Sequence, residues 1–180
     1  METELGTWMT PEEALTRFQG PGVSLLDLDL NAQVEKKIKR YGFEIGNLGF
    51  LINKETICEV VKGFKIFPIP NTRSWMRGWI NLRGNLIPVY DLSLLLGLTE
   101  EPKHYESLLI LDKQSESIGI LIDKLPKTCD VSEWELITSI PQLQVDLTDF
   151  IHNAYQAKDR VWLDLEHKGF VESIKDSIAI

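Results

Sequence analysis

From Tyr41 onward, apolar residues alternate with polar or small ones. Tyr41, Phe43 and Ile45 form one series, and Leu48, Phe50 and Ile52 form a second. A period of two predicts half-buried strands, because successive strand side chains point to opposite faces. Gly46-Asn47 separates the two series, and glycine first in a two-residue loop fits a type II′ hairpin turn. Residues 56–61 predict the next strand, with Ile57, Glu59 and Val61 on one face and Cys58 and Val60 on the other. Pro68-Ile69-Pro70 interrupts the ladder, since proline has no amide hydrogen to donate. Residues 71–76 are predicted as one helical turn capped by Asn71 or Thr72. Residues 79–82 and 86–90 predict another strand pair around Gly84-Asn85. Asp91 then heads a short predicted helix over 92–96, closed by Gly97.

Residues 100–104 are polar, contain Pro102 and read as a connector. Beyond them Ser107–Leu111 and Ile118–Ile122 read as two apolar strands. Residues 131–147, with Trp134, Leu136, Ile137, Ile140 and Pro141, show no clear period. Residues 161–163 predict a final strand. Asp164 is expected to head a helix whose Leu165, Val171, Ile174 and Ile178 face the core, with Gly169 as a weak point. The N-terminal 38 residues differ. Thr10-Pro11-Glu12-Glu13 has the capping-box spacing, with proline at the first helical position. Ala14, Leu15 and Phe18 give that helix an apolar side, and Gly20-Pro21-Gly22 ends it. A second helix is predicted over 24–40, apolar and acidic first, then basic. This segment reads either as a docking arm or as a helix lying on the domain surface. Past it, short strands with tight turns end twice in a strand–Asp–helix junction, at Tyr90-Asp91-Leu92 and at Leu163-Asp164-Leu165. This predicts two similar units, each a small barrel that removes exposed sheet edges.

At 180 residues and 43% hydrophobic, the chain is long enough for one domain or two small ones with a real core. Its net charge of −8 opposes nucleic-acid binding, which needs surplus Lys and Arg. The same charge also serves solubility. Cys58 and Cys129 form no C-x-x-C pair, so neither zinc nor redox chemistry is signalled, and two buried reduced thiols are expected. No signal pattern opens the chain and no apolar run is long enough to span a bilayer, so a cytoplasmic protein without membrane insertion is expected. His104, His152 and His167 are far apart in sequence, with no ligand spacing between them. Phosphate-loop, dinucleotide-binding and nucleophile-elbow motifs are missing, and Cys58 has no histidine partner at strand spacing. No cofactor and no catalytic residue are expected. Of five tryptophans, Trp134 and Trp162 read as core, while Trp75 fits core or interface equally.

One block stands out: Gly78-Trp79-Ile80-Asn81-Leu82-Arg83-Gly84-Asn85-Leu86-Ile87-Pro88-Val89-Tyr90-Asp91-Leu92. If Ile80 and Leu82 point into a barrel, Arg83 points out. Glu59, in the preceding strand, has the opposite charge, and a Glu59–Arg83 pair would fix the guanidinium fork at the surface. From the residues alone this is a candidate binding patch, or a surface ion pair that contributes little.

The block resembles the G-V-I-N-L-R-G-x-x-x-P-V-x-D-L signature of CheW-type domains. Upstream, Glu59-Val60-Val61 followed by Pro68-Ile69-Pro70 is similar to the family's glutamate, short loop and proline segment. Downstream, Gly119-Ile120-Leu121-Ile122-Asp123 resembles its glycine-to-aspartate strand. The resemblance covers roughly residues 39–176. It implies a mainly β fold of two small SH3-like, five-stranded barrels sharing a hydrophobic junction. With the change of period, it divides the chain into an N-terminal helical extension (1–38), a first barrel (39–98) and a second barrel with a C-terminal helix (99–180). It also implies a non-catalytic adaptor between the cytoplasmic tip of a methyl-accepting chemoreceptor and the regulatory domain of a CheA-type histidine kinase. On that resemblance Ile57, Glu59, Asn81, Leu82, Arg83 and Gly84 are receptor-binding candidates, and Ile118 and Gly119 are kinase-binding candidates. Asp91 and Asp123 match aspartates read as a cap and a turn residue. Three departures accompany it. Trp79 replaces a valine, residues 124–129 fit poorly, and the extension has no counterpart in the minimal pattern. An extension with a diverged second half is similar to the CheW-like proteins of type IV pilus motility systems. The rival expectation is a small nucleic-acid-binding β-barrel, which needs a basic groove with interleaved aromatics.

Overall fold

The computed structural model describes residues 10–13, 37–113 and 116–175. The chain separates into two units, residues 1–36 and residues 37–180. In the first, the expected capping box forms. Thr10 N–H donates to Glu13 Oε2 (3.0 Å) and Glu13 N–H donates to Thr10 Oγ1 (3.4 Å). Ala14, Leu15, Phe18 and residues 24–36 of the predicted second helix lie outside the described residues, as does Ile178 at the other end.

The second unit begins at Lys37, and its first strand starts two residues before the alternating period at Tyr41. Its elements are β1 (Lys39–Ile45), β2 (Leu48–Ile52), β3 (Cys58–Lys62), β4 (Met76–Leu82), β5 (Asn85–Tyr90) and a short helix α1 (Leu92–Leu95). Then come β6 (Ser107–Leu111), β7 (Ile118–Ile122), β8 (Lys127–Asp130), β9 (Glu135–Ile137), β10 (Ile151–Ala157), β11 (Arg160–Leu165) and the helix α2 (His167–Lys175). The β1–β2 turn is as expected: Ile45 lies opposite Leu48 and Gly46 has φ 56°. Lys39 and Arg40 open a strand rather than close a helix. There Arg40 lies opposite Cys129 of β8, and its fork reaches past β2 to Asp164 of β11 (3.0 and 2.6 Å). Tertiary pairing outweighs helix propensity at such an end. Residues 71–75 make turns without a helix before β4 begins at Met76, with Asn71 at φ 57° and Thr72 Oγ1 donating to Ile69 O (3.0 Å).

The strands form a six-stranded sheet, β8-β1-β2-β11-β10-β9, and a five-stranded sheet, β3-β6-β7-β5-β4. These are the two SH3-like subdomains, one with a strand more than expected. They do not divide the chain at residue 98. The chain begins the first subdomain, builds the whole of the second from β3 to β7, and returns to complete the first. Two parallel pairings close this path, β2 with β11 and β5 with β7. Such pairings join segments far apart in sequence and leave no local signature.

Burial explains why β2, β6 and β7 are apolar at nearly every position. Leu108, Ile110 and Leu121 pack inside the five-stranded subdomain with Ile80, Ile87 and Val89. Their alternate neighbours Leu109, Leu111, Ile118, Ile120 and Ile122 pack on the other face, against Phe43, Leu48 and Phe50 of the six-stranded sheet. Strands covered on both faces read as continuous apolar runs. A third cluster, Leu51, Cys129, Val131 and Trp162, fills the six-stranded subdomain. Trp162 is 3% exposed, as expected for core, and Trp134 packs against it half-buried. Cys58 and Cys129 are free thiols, half-buried and buried. Among the described residues, no helix is long and apolar enough to cross a membrane.

The two strand–Asp–helix junctions differ. Asp91 caps α1, accepting from Ser93 N (3.2 Å) and Leu94 N (3.3 Å), and Gly97 (φ 71°) ends it. Asp164 remains inside β11, held by Arg40, and α2 is capped instead by Glu166. Its carboxylate accepts from Lys168 N (3.1 Å) and Gly169 N (2.7 Å). Phe170, Val171 and Ile174 turn into the shared core.

Candidate functional site

The hairpin of β4 and β5 pairs Leu82 with Asn85, so its two-residue loop is Arg83-Gly84. The expected turn at Gly84-Asn85 lies one residue too late. Both loop residues have positive φ, 53° and 88°. This is the sign pattern of a type I′ turn, whose twist matches the strands it joins. An arginine at positive φ is unfavourable. Asn81 offsets that cost, its Oδ1 accepting from Gly84 N (2.9 Å).

The expected ion pair is present. Arg83 Nη1 donates to Glu59 Oε2 (2.9 Å) and Nη2 donates to Oε1 (2.7 Å). Glu59 lies on β3 and Arg83 at the end of β4, the two edge strands of the five-stranded sheet. The pair therefore spans the two sheet edges. With Arg83 73% exposed and Glu59 41% exposed, water screens it, and its consequence is orientation rather than stability. The Glu59 carboxylate raises the Arg83 pKa above its ordinary value, so the fork stays charged.

Ile57 precedes β3, is 48% exposed, and accepts at its carbonyl from Asp112 N (2.8 Å). Leu82 is half-buried against the inner cluster of this subdomain. The strand registers bring Ile57, Glu59, Asn81, Arg83 and Gly84 to one end of the five-stranded sheet. A separate cleft of about 600 Å³ is lined by Trp79, Leu86, Tyr90, Ile118, His167 and Val171 among others, and by none of these five residues. Across it, His167 Nε2 lies 2.6 Å from Asp112 Oδ2, both largely buried. Lys168 bridges from α2 to Glu116 (2.6 Å). Among the described residues, no group of three or more His, Cys, Asp and Glu converges as a metal site.

Ile118 and Gly119 do not offer an open face. They stand in β7, a central strand of the same sheet as Arg83, where Ile118 is 6% exposed and forms part of the cleft floor. A Cβ on Gly119 would lie 3.2 Å from Leu108 Cδ1, so that position is packing. Sequence reasoning missed His167, Asp112 and Leu86 as lining of the cleft, and Phe67 opposite Trp79. Leu86 had a signal, since its parity sets it on the solvent side of the hairpin, opposite Asn81. Asp112 and His167 had none, being joined only by the tertiary fold.

The family model described as CheW-like domain matches residues 41–175. Over 105 residues the chain is 28% identical to the chemotaxis protein CheW of Thermotoga maritima, covering 58% of this chain and 70% of that protein. It is 24% identical to protein PilI of Pseudomonas aeruginosa over 138 residues, covering 73% and 77%. In fold it is similar to the crystal structure of the scaffolding protein TtCheW from Thermoanaerobacter tengcongensis. There the TM-score is 0.56 at 23% identity, over 72% of this chain and 89% of that one. The Glu59–Arg83 hairpin end, the two joined SH3-like subdomains and the family match across most of the chain lead to one assignment: this protein belongs to the CheW-like domain family.

Proposed function

We propose that this chain is a non-catalytic adaptor. It couples the cytoplasmic tip of a methyl-accepting chemoreceptor to the regulatory domain of a CheA-type histidine kinase, in chemotaxis or type IV pilus motility signalling. The observation that carries the reading is the Glu59–Arg83 pair, a charged fork fixed in orientation at the exposed end of a subdomain, with the exposed Ile57 and half-buried Leu82 flanking it in sequence. A receptor helix lays its apolar residues against Ile57 and Leu82 while Arg83 sets its register. Because Glu59 already holds the fork, little side-chain freedom is lost on docking. Receptor state then biases the kinase through contacts both share with this chain.

The first test is titration of the purified chain with the isolated regulatory domain of its own CheA-type kinase. Saturable binding supports the coupling role, and its absence at high concentration removes that role. The second uses Arg83→Glu against the receptor tip. Reversing the charge places two carboxylates together, and affinity is expected to fall about tenfold or more. The melting temperature should stay near that of the parent. Unchanged affinity, or an unfolded variant, sinks the assignment of Arg83.

A further inference from the structure

We propose that the outer face of the β4–β5 hairpin is a second docking surface, built around Trp79, for an acidic amphipathic segment of a protein partner. This goes beyond the coupling role and does not depend on Arg83. The starting observation is Trp79 itself, which stands where the family signature has valine and is 36% exposed. Phe67 lies directly opposite it. Phe67 N–H donates to Trp79 O (2.8 Å) and Trp79 N–H donates to Phe67 O (2.9 Å). Residues paired in this way share a face of the sheet. On its other side Trp79 pairs with Pro88, and Leu86 shares that face two positions along. Phe67 is 51% and Leu86 66% exposed. Four apolar side chains from three chain segments thus form a continuous strip running into the cleft. Isolated exposed apolar residues need no explanation, but a contiguous strip centred on a tryptophan marks a contact surface.

Charge identifies the occupant. Residues 60–90 carry Lys62, Lys65, Arg73, Arg77 and Arg83 and no Asp or Glu, within a chain of net charge −8. Asp91 engages Arg77, and Glu59 engages Arg83. Lys62, Lys65 and Arg73 are exposed and enter no ion pair with the described residues. Lys65 Nζ lies 5.3 Å from the Phe67 ring centre, at the edge of the strip. The far wall of the cleft carries Asp112, Glu116 and Glu172 beside His167 and Lys168. A bound segment therefore lays its acidic edge toward Lys65, away from α2. A helix with apolar residues three and four positions apart and carboxylates along one flank meets both requirements. A nucleic acid meets them poorly, because the acidic wall interrupts any basic track.

The test follows the Trp79 indole N–H by NMR in the full chain, assigned by its loss in Trp79→Val. Three probes are added separately: a designed helical Leu/Glu peptide, the same peptide with Lys for Glu, and an oligothymidine. The Leu/Glu peptide is expected to shift the Trp79 signal saturably, less so as salt is raised. Trp79→Val should weaken its binding about tenfold, and Lys65→Glu should weaken it several-fold. Valine is at home in a strand, and an unchanged melting curve confirms that the variant folds. Phe67→Ser, in an exposed loop, probes the strip independently. An unmoved Trp79 signal at millimolar peptide overturns the proposal, as does equal binding of the Leu/Lys peptide. An oligothymidine that binds at Trp79 in preference to the Leu/Glu peptide overturns it as well.

Discussion

Asp91 is 1% exposed, yet its carboxylate has a partner on every side. Besides capping α1, it accepts from Ser93 Oγ (2.7 Å), Tyr105 OH (3.0 Å) and Arg77 Nη1 (3.2 Å). A buried carboxylate persists only when satisfied in this manner. Burial pushes the Tyr105 hydroxyl up to about 12, with the nearby Asp91 charge adding to the rise. Between the ordinary tyrosine value of about 10 and that raised one, the unfolded chain releases its proton while the folded chain keeps it. The stabilisation is therefore complete below pH about 10 and lost as pH rises toward 12. Denaturant melts across this window should show stability falling with pH. Tyr105→Phe should flatten that slope in part, since burial also raises Tyr90. A variant with the parent's slope would show that Tyr105 is not responsible. The cap at Asp91 was legible because its spacing to the helix is local. Tyr105 and Arg77 lie too far along the chain for any pattern to announce them.

Strands with one clear apolar face, or with two, were legible as elements: β1, β2, β6 and β7 all lie where the period places them. Strand β10 was not. Its residues Ile151–Ala157 mix apolar and polar side chains without alternation, and only Ala154 is fully buried. The β4–β5 turn was misplaced because arginine is a poor signal for a positive-φ position, so Gly84 read as the first loop residue instead of the second. Gly78 is the most demanding position in this hairpin. It has φ 129°, and a Cβ there would lie 2.1 Å from Phe67 O. Its hydrogen atom lets residues 67–68 close against β4 and complete the Phe67–Trp79 bridge. Gly78→Ala should cost about 3 kcal/mol or more, combining backbone strain with a main-chain clash. Equilibrium unfolding measures that directly, and a loss below about 1 kcal/mol would show that the loop yields freely.

At the scale of the molecule, the two subdomains share their largest apolar cluster. Phe43, Leu48 and Phe50 of one sheet pack with Leu109, Leu111 and Ile120 of the other. Neither subdomain keeps its apolar faces covered alone, so both should unfold together. Trp162 lies in the cluster of the six-stranded subdomain and Trp79 on the five-stranded one. Chains retaining one or the other as the reporting fluorophore should give coincident melting curves. Leu109 is 0% exposed at the junction. Leu109→Ala should cost about 2–5 kcal/mol and move both curves equally. Separate transitions would contradict a shared core.

Local pattern, read without coordinates, determined the start of the strand-rich unit, most of its strands, the first hairpin, the cap of α1 and the residues of the Glu59–Arg83 pair. Each depends on neighbours in sequence or on a motif whose order is itself local. Only the tertiary structure decided how strands are shared between the sheets, because the parallel pairs β2–β11 and β5–β7 join segments with no common period. It also decided that Ile118 and Gly119 lie in a central strand, that Asp164 serves an ion pair instead of a helix, and that Phe67, Trp79 and Leu86 line up on one face. The reason is the same in each case. A side chain's surroundings are set by what folds against it, and burial from both sides, opposite edges brought together and a shared junction are properties of the closed chain.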